Sequence, residues 1–209
     1  MSIHNSKSSD SENPTRHLDL GCGLLPRNPY HQAVLYACDI KDFREGVKDT
    51  EYFFRAADLS REDIPFEDNY FDSVSAFDFI EHIPRHAVDS NGHVILPFIK
   101  LMSEIHRVLR PGGIFLANTP AFPREEAFQD PTHVNIITKK THQYFCGDNP
   151  YAVRYGFVGG FIEKRVAWDA SANARDRKIS PLRGAMRNIH RKFLGAGLTH
   201  LTWELIARK

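Results

Sequence analysis

From His17 onward, short apolar runs end at turn signals. His17-Leu18-Asp19-Leu20 stops at Gly21-Cys22-Gly23, Ala33 to Cys38 at Asp39, and Tyr52 to Ala57 at Asp58. Phe71 to Phe77 stops at Asp78, and Gly113 to Ala117 at Asn118. Each run has the length of a strand. The runs do not alternate cleanly, which predicts burial on both faces, the habit of parallel sheets.

One helix is expected over about Ile95 to Leu109. Ile95, Phe98, Ile99, Met102, Ile105 and Leu109 form one stripe, with Lys100, Ser103, Glu104 and Arg107 facing away. Pro97 fits only in a first turn, and Arg110-Pro111-Gly112-Gly113 reads as the stop. Strand, helix, Gly-rich turn and strand make a βαβ unit. Two later runs, Gly160 to Trp168 and His200 to Ala207, read as an antiparallel addition at one sheet edge. The fold class expected is α/β, a Rossmann-like doubly wound, mainly parallel sheet of roughly seven strands with an antiparallel C-terminal pair.

The chain has 209 residues, 42% hydrophobic and 25% charged. That suits one domain with a full core over 15–209. Residues 1–14 read as a flexible polar tail, not a secretion signal. A basic insertion is expected at about 170–197, between the last two strands. The net charge of +1 sets up no global field toward nucleic acid. Cys22, Cys38 and Cys146 show no paired spacing, so neither a disulfide framework nor zinc is expected, and the cytoplasm is the expected compartment. No run is long enough to span a bilayer. No acidic pair or histidine pair has ligand spacing, so no metal is expected.

The chemistry lies at the strand ends. Gly21 and Gly23 let a ligand approach the backbone. Asp39 stands 20 residues after Asp19, where a carboxylate can accept ribose hydroxyls. Asp58-Leu59 follows the third strand, placed for an adenine edge. In open α/β sheets ligands bind beyond the carboxyl ends of the strands.

These pieces together resemble the class I S-adenosylmethionine-dependent methyltransferases of the small-molecule and glycan type, over roughly Arg16 to Phe145 plus the late strand pair. The matching residues are Asp19-Leu20-Gly21-Cys22-Gly23, Asp39, Asp58, Phe71-Asp72-Ser73-Val74, Phe79-Ile80-Glu81-His82-Ile83 and Leu109-Arg110-Pro111-Gly112-Gly113. The resemblance implies S-adenosylmethionine as cofactor and S-adenosylhomocysteine as product. It places the turn Gly21-Cys22-Gly23 at the methionine part, Asp39 at the ribose, Asp58 and Leu59 at adenine, and Phe77 and Asp78 on the methionine side, with Asp19 and Ile40 also among the cofactor-binding residues; Cys22 and Cys38 read as small packing residues near the cofactor. Two departures stand out. Leu25 replaces the usual third glycine, and eleven residues with two prolines separate Gly23 from Leu35, so the helix after the first strand is very short or missing. A nicotinamide dehydrogenase would want a third glycine opening a helix, and Pro26 stands at that place. Ala76-Phe77-Asp78-Phe79, in place of an Asn-Pro-Pro-Tyr-like run, argues against nucleic-acid bases as acceptors.

Methyl transfer to a hydroxyl benefits from a base. His133, in Asp130-Pro131-Thr132-His133-Val134-Asn135, is the first candidate, with Asp130 beside it; His82, just past the fourth strand, is the second. An equally weighted ordinary reading has Asp130 and Thr132 capping a helix, with His133 bonded to backbone. His86, His93, His106, His142 and His190 read as surface or helix histidines. In the insertion, Leu182, Met186, Ile189 and Phe193 recur at helical spacing among basic residues. The preferred reading is an amphipathic helix packed on the sheet; the other is peripheral contact of 175–193 with a membrane or anionic substrate. The expected function is methyl transfer to a small or glycan-like acceptor at oxygen, on a further likeness of Glu81-His82-Ile83-Pro84-Arg85 and Asp130 to Ile136 to methyltransferases of bacterial surface polysaccharides. The alternatives are a lipid, quinone or natural-product acceptor, and a methyltransferase-like protein that holds the cofactor without turnover.

Overall fold

A computed structural model describes residues 13–43, 51–172 and 197–209. Strands β1 (Arg16–Leu20), β2 (Val34–Asp39), β3 (Phe53–Ala56) and β4 (Phe71–Phe77) are followed by a small hairpin, β5 (Ala87–Val88) and β6 (Val94–Ile95). Helix α1 (Pro97–Val108) then leads into β7 (Leu109–Pro120), and β8 (Phe161–Asp169) and β9 (His200–Ala207) close the chain. The main sheet has seven strands in the order β3-β2-β1-β4-β7-β9-β8. β1, β2, β3, β4 and β7 run parallel, and β9 lies antiparallel between β7 and β8. The expected α/β sheet with an antiparallel C-terminal pair is therefore the one formed. Its order reverses between β1 and β4, and the crevice beyond their carboxyl ends is where such sheets bind ligands.

The side-chain alternation decides what each face can hold. Leu18, Leu20, Val74, Ala76, Phe115 and Ala117 join the core under α1. Between them, His17, Asp19, Ser73, Ser75 and Asn118 fall on the opposite face, and all are buried. Both faces are covered, as expected, but one is apolar and the other polar. β9 adds Leu201, Trp203 and Leu205 to the apolar side and Thr202 to the buried polar residues.

Helix α1 buries Phe98, Leu101, Met102, Ile105 and Val108. Its outer side is held by charge: Lys100 pairs with Asp63 at 2.8 Å, and Arg107 with Glu104 at 2.6 Å and Asp68 at 2.8 Å. The helix ends one residue earlier than expected because Leu109 is already drawn into pairing with Phe71. The expected stop, Arg110 to Gly113, lies within β7, where the register against β4 shifts between Phe71 and Ser73. Asp72 anchors this irregularity by accepting the Arg16 amide at 2.6 Å and pairing with Arg110 at 2.5 Å. The hairpin β5–β6 is a feature the apolar runs did not suggest; its turn is set by Asp89, which accepts the amides of Asn91 and His93, and by Gly92 at φ 83°. The basic stretch 175–193 with its helical spacing lies outside the described residues, as does most of the N-terminal tail.

Trp203 is fully buried in the strand that joins the C-terminal pair to the parallel sheet, whereas Trp168 is only partly buried. Trp203→Ala should cost about 3–5 kcal/mol. Trp168→Ala should cost distinctly less, and urea denaturation of both variants checks the ranking.

Candidate cofactor and acceptor site

The turn after β1 is built from two glycines with different reasons for being glycine. Gly21 sits at φ 62°, and a Cβ there would come within 2.3 Å of the Phe79 ring. Its backbone is thus clamped between the end of β2, through Gly21 N–H to the Cys38 carbonyl at 2.9 Å, and the segment after β4. Gly23 sits at φ 56°, with nothing within 4 Å of a built Cβ. Its cradle opens outward, and its N–H donates to Asp39 Oδ2 at 2.9 Å. Cys22 and Cys38 are buried beside the turn, and burial pushes both thiols up to about 12.

No helix follows among the described residues; 24–33 are turns and bends. The loop folds back instead. Arg27 donates its amide to Asp19 Oδ2 at 2.8 Å, and its guanidinium lies 5.0 Å from the Phe77 ring. Asn28 is bonded twice to the Gln32 backbone, and Tyr30 packs on the Phe77–Leu116 cluster. The shortened connection read from Leu25 and the prolines is therefore a compact loop.

Asp19 ends a buried chain of polar groups. Ser75 Oγ donates to Asp19 Oδ1 at 2.5 Å. Having spent its proton there, Ser75 accepts from His17 Nε2 at 2.8 Å. His17 Nδ1 is then the acceptor for the Ser73 hydroxyl at 2.7 Å. Burial holds His17 neutral, with its pKa lowered to about 3. Burial also raises Asp19 to about 7, against the stabilising donors Ser75 and Arg27. Asp19 therefore faces the sheet and the loop, bracing the glycine turn from behind.

Asp39 and Asp58 occupy neighbouring strand ends. Asp39 Oδ1 accepts the Ile40 amide at 2.7 Å and Oδ2 accepts Gly23, which leaves each oxygen a lone pair. Ile40 is 64% exposed. Asp58 Oδ1 accepts the Ser60 amide and hydroxyl, so Oδ2, 3.8 Å from Arg61 Nε, is its freer oxygen. The Leu59 side chain is in the core. Phe77 is buried behind the crevice, and Asp78 follows at φ 49°. Asp78 Oδ1 lies 2.7 Å from His200 Nε2, while His200 Nδ1 meets Thr199 Oγ1 at 2.7 Å. The apolar run of β9 gave no hint of this pair, because only the sheet order brings residue 200 beside residue 78.

On the other side of Phe79, the turn 80–82 carries Glu81 and His82. The Glu81 carbonyl accepts the amides of Val134 and Asn135 at 3.0 and 2.9 Å. Asn135, buried, donates to the Ile80 carbonyl at 3.1 Å and accepts Arg85 Nε at 2.8 Å. These bonds strap the 130–136 loop to the turn and set the His82 and His133 rings 4.9 Å apart, edge to face. Asp130 Oδ1 accepts the Thr132 amide and hydroxyl, which lowers its pKa, and Asp130 Oδ2 stands 4.0 Å from His133 Nε2. Among the described residues no α-helix starts at Asp130 or Thr132, so the capping alternative takes the form of a local turn. Glu81 is 1% exposed and burial pushes it up to about 8; one of its oxygens accepts the Thr119 hydroxyl at 2.9 Å. His106 and His142 stand on helical elements, α1 and the short helical turn Thr141–Phe145, but neither lies at the surface. Both are buried, His106 against the Arg208 carbonyl at 2.9 Å and His142 on Glu163 at 2.6 Å. A cavity of about 500 Å³ opens on the α1 side, lined by Arg85, Phe98, Thr138, Tyr144 and Tyr155, and holds none of the expected site residues.

The family model for methyltransferase domains matches residues 18–117, which span β1 to β7. No curated protein sequence matches the chain. Among solved structures, a Haloferax volcanii methyltransferase in complex with the Trm112 activator is similar with a TM-score of 0.57 and 15% identity, covering 95% of this chain and 84% of that one. An S-adenosylmethionine-dependent methyltransferase from Mesorhizobium loti gives 0.55 and 15%, covering 92% and 91%. One from Archaeoglobus fulgidus gives 0.52 and 18%, covering 94% and 86%. Residues 18–117 thus match a methyltransferase domain, and the strand order is that of the fold seen in these S-adenosylmethionine-dependent methyltransferases.

The buried Asp19 gives a signed pH effect. Its ordinary value is 3.8 and its folded value about 7, so the folded state holds the proton more tightly between them. Asp19 thus favours folding below about pH 4, and that contribution is lost as pH rises toward 7. His17, lowered from 6.5, acts oppositely, losing stability as pH falls from 6.5 toward 3. Asp19→Asn removes only the first titration. Relative to wild type, the variant should gain about 1–3 kcal/mol between about pH 5 and pH 8 in ligand-free unfolding. Parallel stability curves would remove the buried-carboxylate account.

Proposed function

We propose that the carboxyl edge of β1, β2, β4 and β7 holds S-adenosylmethionine and presents its methyl to a hydroxyl of a small or glycan-like acceptor. The observation that carries this reading is the outward-opening Gly23 cradle beside Asp39, with the Glu81-His82-His133 group on the far side of Phe79. The residues present fit the cofactor. Gly21, Cys22 and Gly23 offer close backbone approach for its methionine part. Asp39 keeps two lone pairs for the ribose hydroxyls. The exposed Ile40 offers an adenine face, Asp58 Oδ2 an acceptor, and Leu59 an amide with no partner among the described residues. Phe77 and Asp78 close the methionine side, with Asp78 held in place by His200.

When bound, S-adenosylmethionine supplies an electrophilic methyl on a sulfonium, so the protein's task is alignment and proton management. His82, His133 and Asp130 supply the acceptor side. Imidazole nitrogens and a carboxylate are groups that receive a hydroxyl proton, which favours oxygen as the methylated atom. A second reading, an acceptor with a lipid or quinone chain, draws on the exposed Phe122, Phe128, Val134 and Ile136 around the same loop.

Calorimetry with S-adenosylhomocysteine should show one binding event, weakened at least about tenfold by Asp39→Ala, equivalent to about 1.4 kcal/mol. Absence of heat at millimolar ligand, or an unchanged affinity in the variant, would refute the cofactor assignment. In a turnover screen, sugar nucleotides or lipid-linked glycans should release S-adenosylhomocysteine. His133→Ala should slow this by about 10²–10⁴-fold, and turnover confined to quinones would decide for the second reading.

A further inference from the structure

We infer that Glu81, His82 and His133 form a binding site for a divalent transition-metal cation at the acceptor side of the cleft. One nitrogen from each ring and one carboxylate oxygen lie within 4.8 Å of one another, close enough to share a single ion. The sequence could not show this. His82 and His133 are 51 positions apart and meet only because Glu81 and Asn135 strap the two segments together.

The hydrogen bonds around the cluster leave each residue with a lone pair to give. Thr132 Oγ1 donates to Asp130, so toward His82 Nδ1, at 3.0 Å, it acts as acceptor; the Thr132 carbonyl, 3.2 Å from the same nitrogen, can only accept. His82 Nδ1 therefore carries the proton and Nε2 the lone pair. His133 Nδ1 faces the Ala127 carbonyl at 3.3 Å, which gives the same tautomer and again frees Nε2. Histidines that ligate metals are oriented in this way, by donating the other ring N–H to an acceptor. On Glu81, Oε2 is taken by the Thr119 hydroxyl, while Oε1 is buried without a hydrogen-bond partner. A buried oxygen left unpaired is costly, and a cation beside it removes the cost. Asp130 Oδ2, 4.0 Å from His133 Nε2, adds negative charge on the solvent side.

Two imidazoles and one carboxylate suit first-row transition ions such as Zn²⁺, Mn²⁺ or Co²⁺ better than Mg²⁺ or Ca²⁺, and three protein ligands leave open positions. With an ion bound, His82 and His133 act as ligands in place of receiving the proton, and an acceptor oxygen taking an open position would become more acidic and pass its proton to Asp130 or solvent before attack. This role rests on the acceptor side being where the proposed function places it; the ion site itself does not.

The test uses chelator-treated full-length protein titrated with Co²⁺, followed by visible absorption, and with Zn²⁺ by calorimetry. One equivalent should bind at micromolar concentration or below, with imidazole-dependent cobalt bands. His82→Ala and His133→Ala should each weaken binding by at least about tenfold, whereas His93→Ala, at the β5–β6 turn, should not. Glu81→Gln should do the same, and circular dichroism separates ligand loss from unfolding in that variant. No stoichiometric binding to wild type, or binding that survives both histidine variants, would overturn the site. S-adenosylhomocysteine calorimetry on the same samples reports separately on the cofactor reading. Failure there with intact cobalt binding refutes the cofactor and leaves the ion site standing.

Discussion

Two halves of the cleft meet where Gly21 lies under the Phe79 ring. A side chain at Gly21 would occupy the space of that ring, and its backbone is already in the left-handed region. The contact fixes the glycine turn after β1 to the segment after β4, across the point where the strand order reverses. Everything proposed about function hangs from it. On one side of Phe79 the turn continues to Gly23 and its bond to Asp39. On the other, the chain runs directly into Glu81 and His82.

The second constraint is the polar face of the sheet. Burying His17, Asp19, Ser73 and Ser75 is expensive unless they satisfy one another. They do, through a chain whose proton directions follow from a carboxylate at one end. That chain and the Arg27 amide hold the compact loop that stands in place of a helix after β1. The support beneath the glycine turn is thus a hydrogen-bonded network in the sheet rather than a helix.

Much of the fold was legible because strand ends carry turn residues and α1 carries a clear apolar stripe. Asp39, Asp58 and the glycine turn were legible for the same reason: their places are set by where strands stop. The stunted connection after β1 was legible from Leu25 and two prolines. The rest needed the third dimension. His200 pairs with Asp78 only because β9 inserts beside β7, and His133 reaches His82 only through backbone bonds to Glu81. The buried places of His106 and His142 depend on distant partners, the Arg208 carbonyl and Glu163. Helix α1 ended early because strand pairing captured Leu109, a competition that local stop signals do not register.

The proposed function places the cofactor on the Gly23–Asp39 side of Phe79 and the acceptor chemistry on the Glu81–His133 side. A crystal structure of the complex with S-adenosylhomocysteine tests it most directly. Ribose hydroxyls should lie on Asp39, adenine between Ile40 and the Leu59 amide, and the sulfur should be directed toward His82 and His133. A ligand seated elsewhere, or a sulfur turned away from that pair, would contradict it.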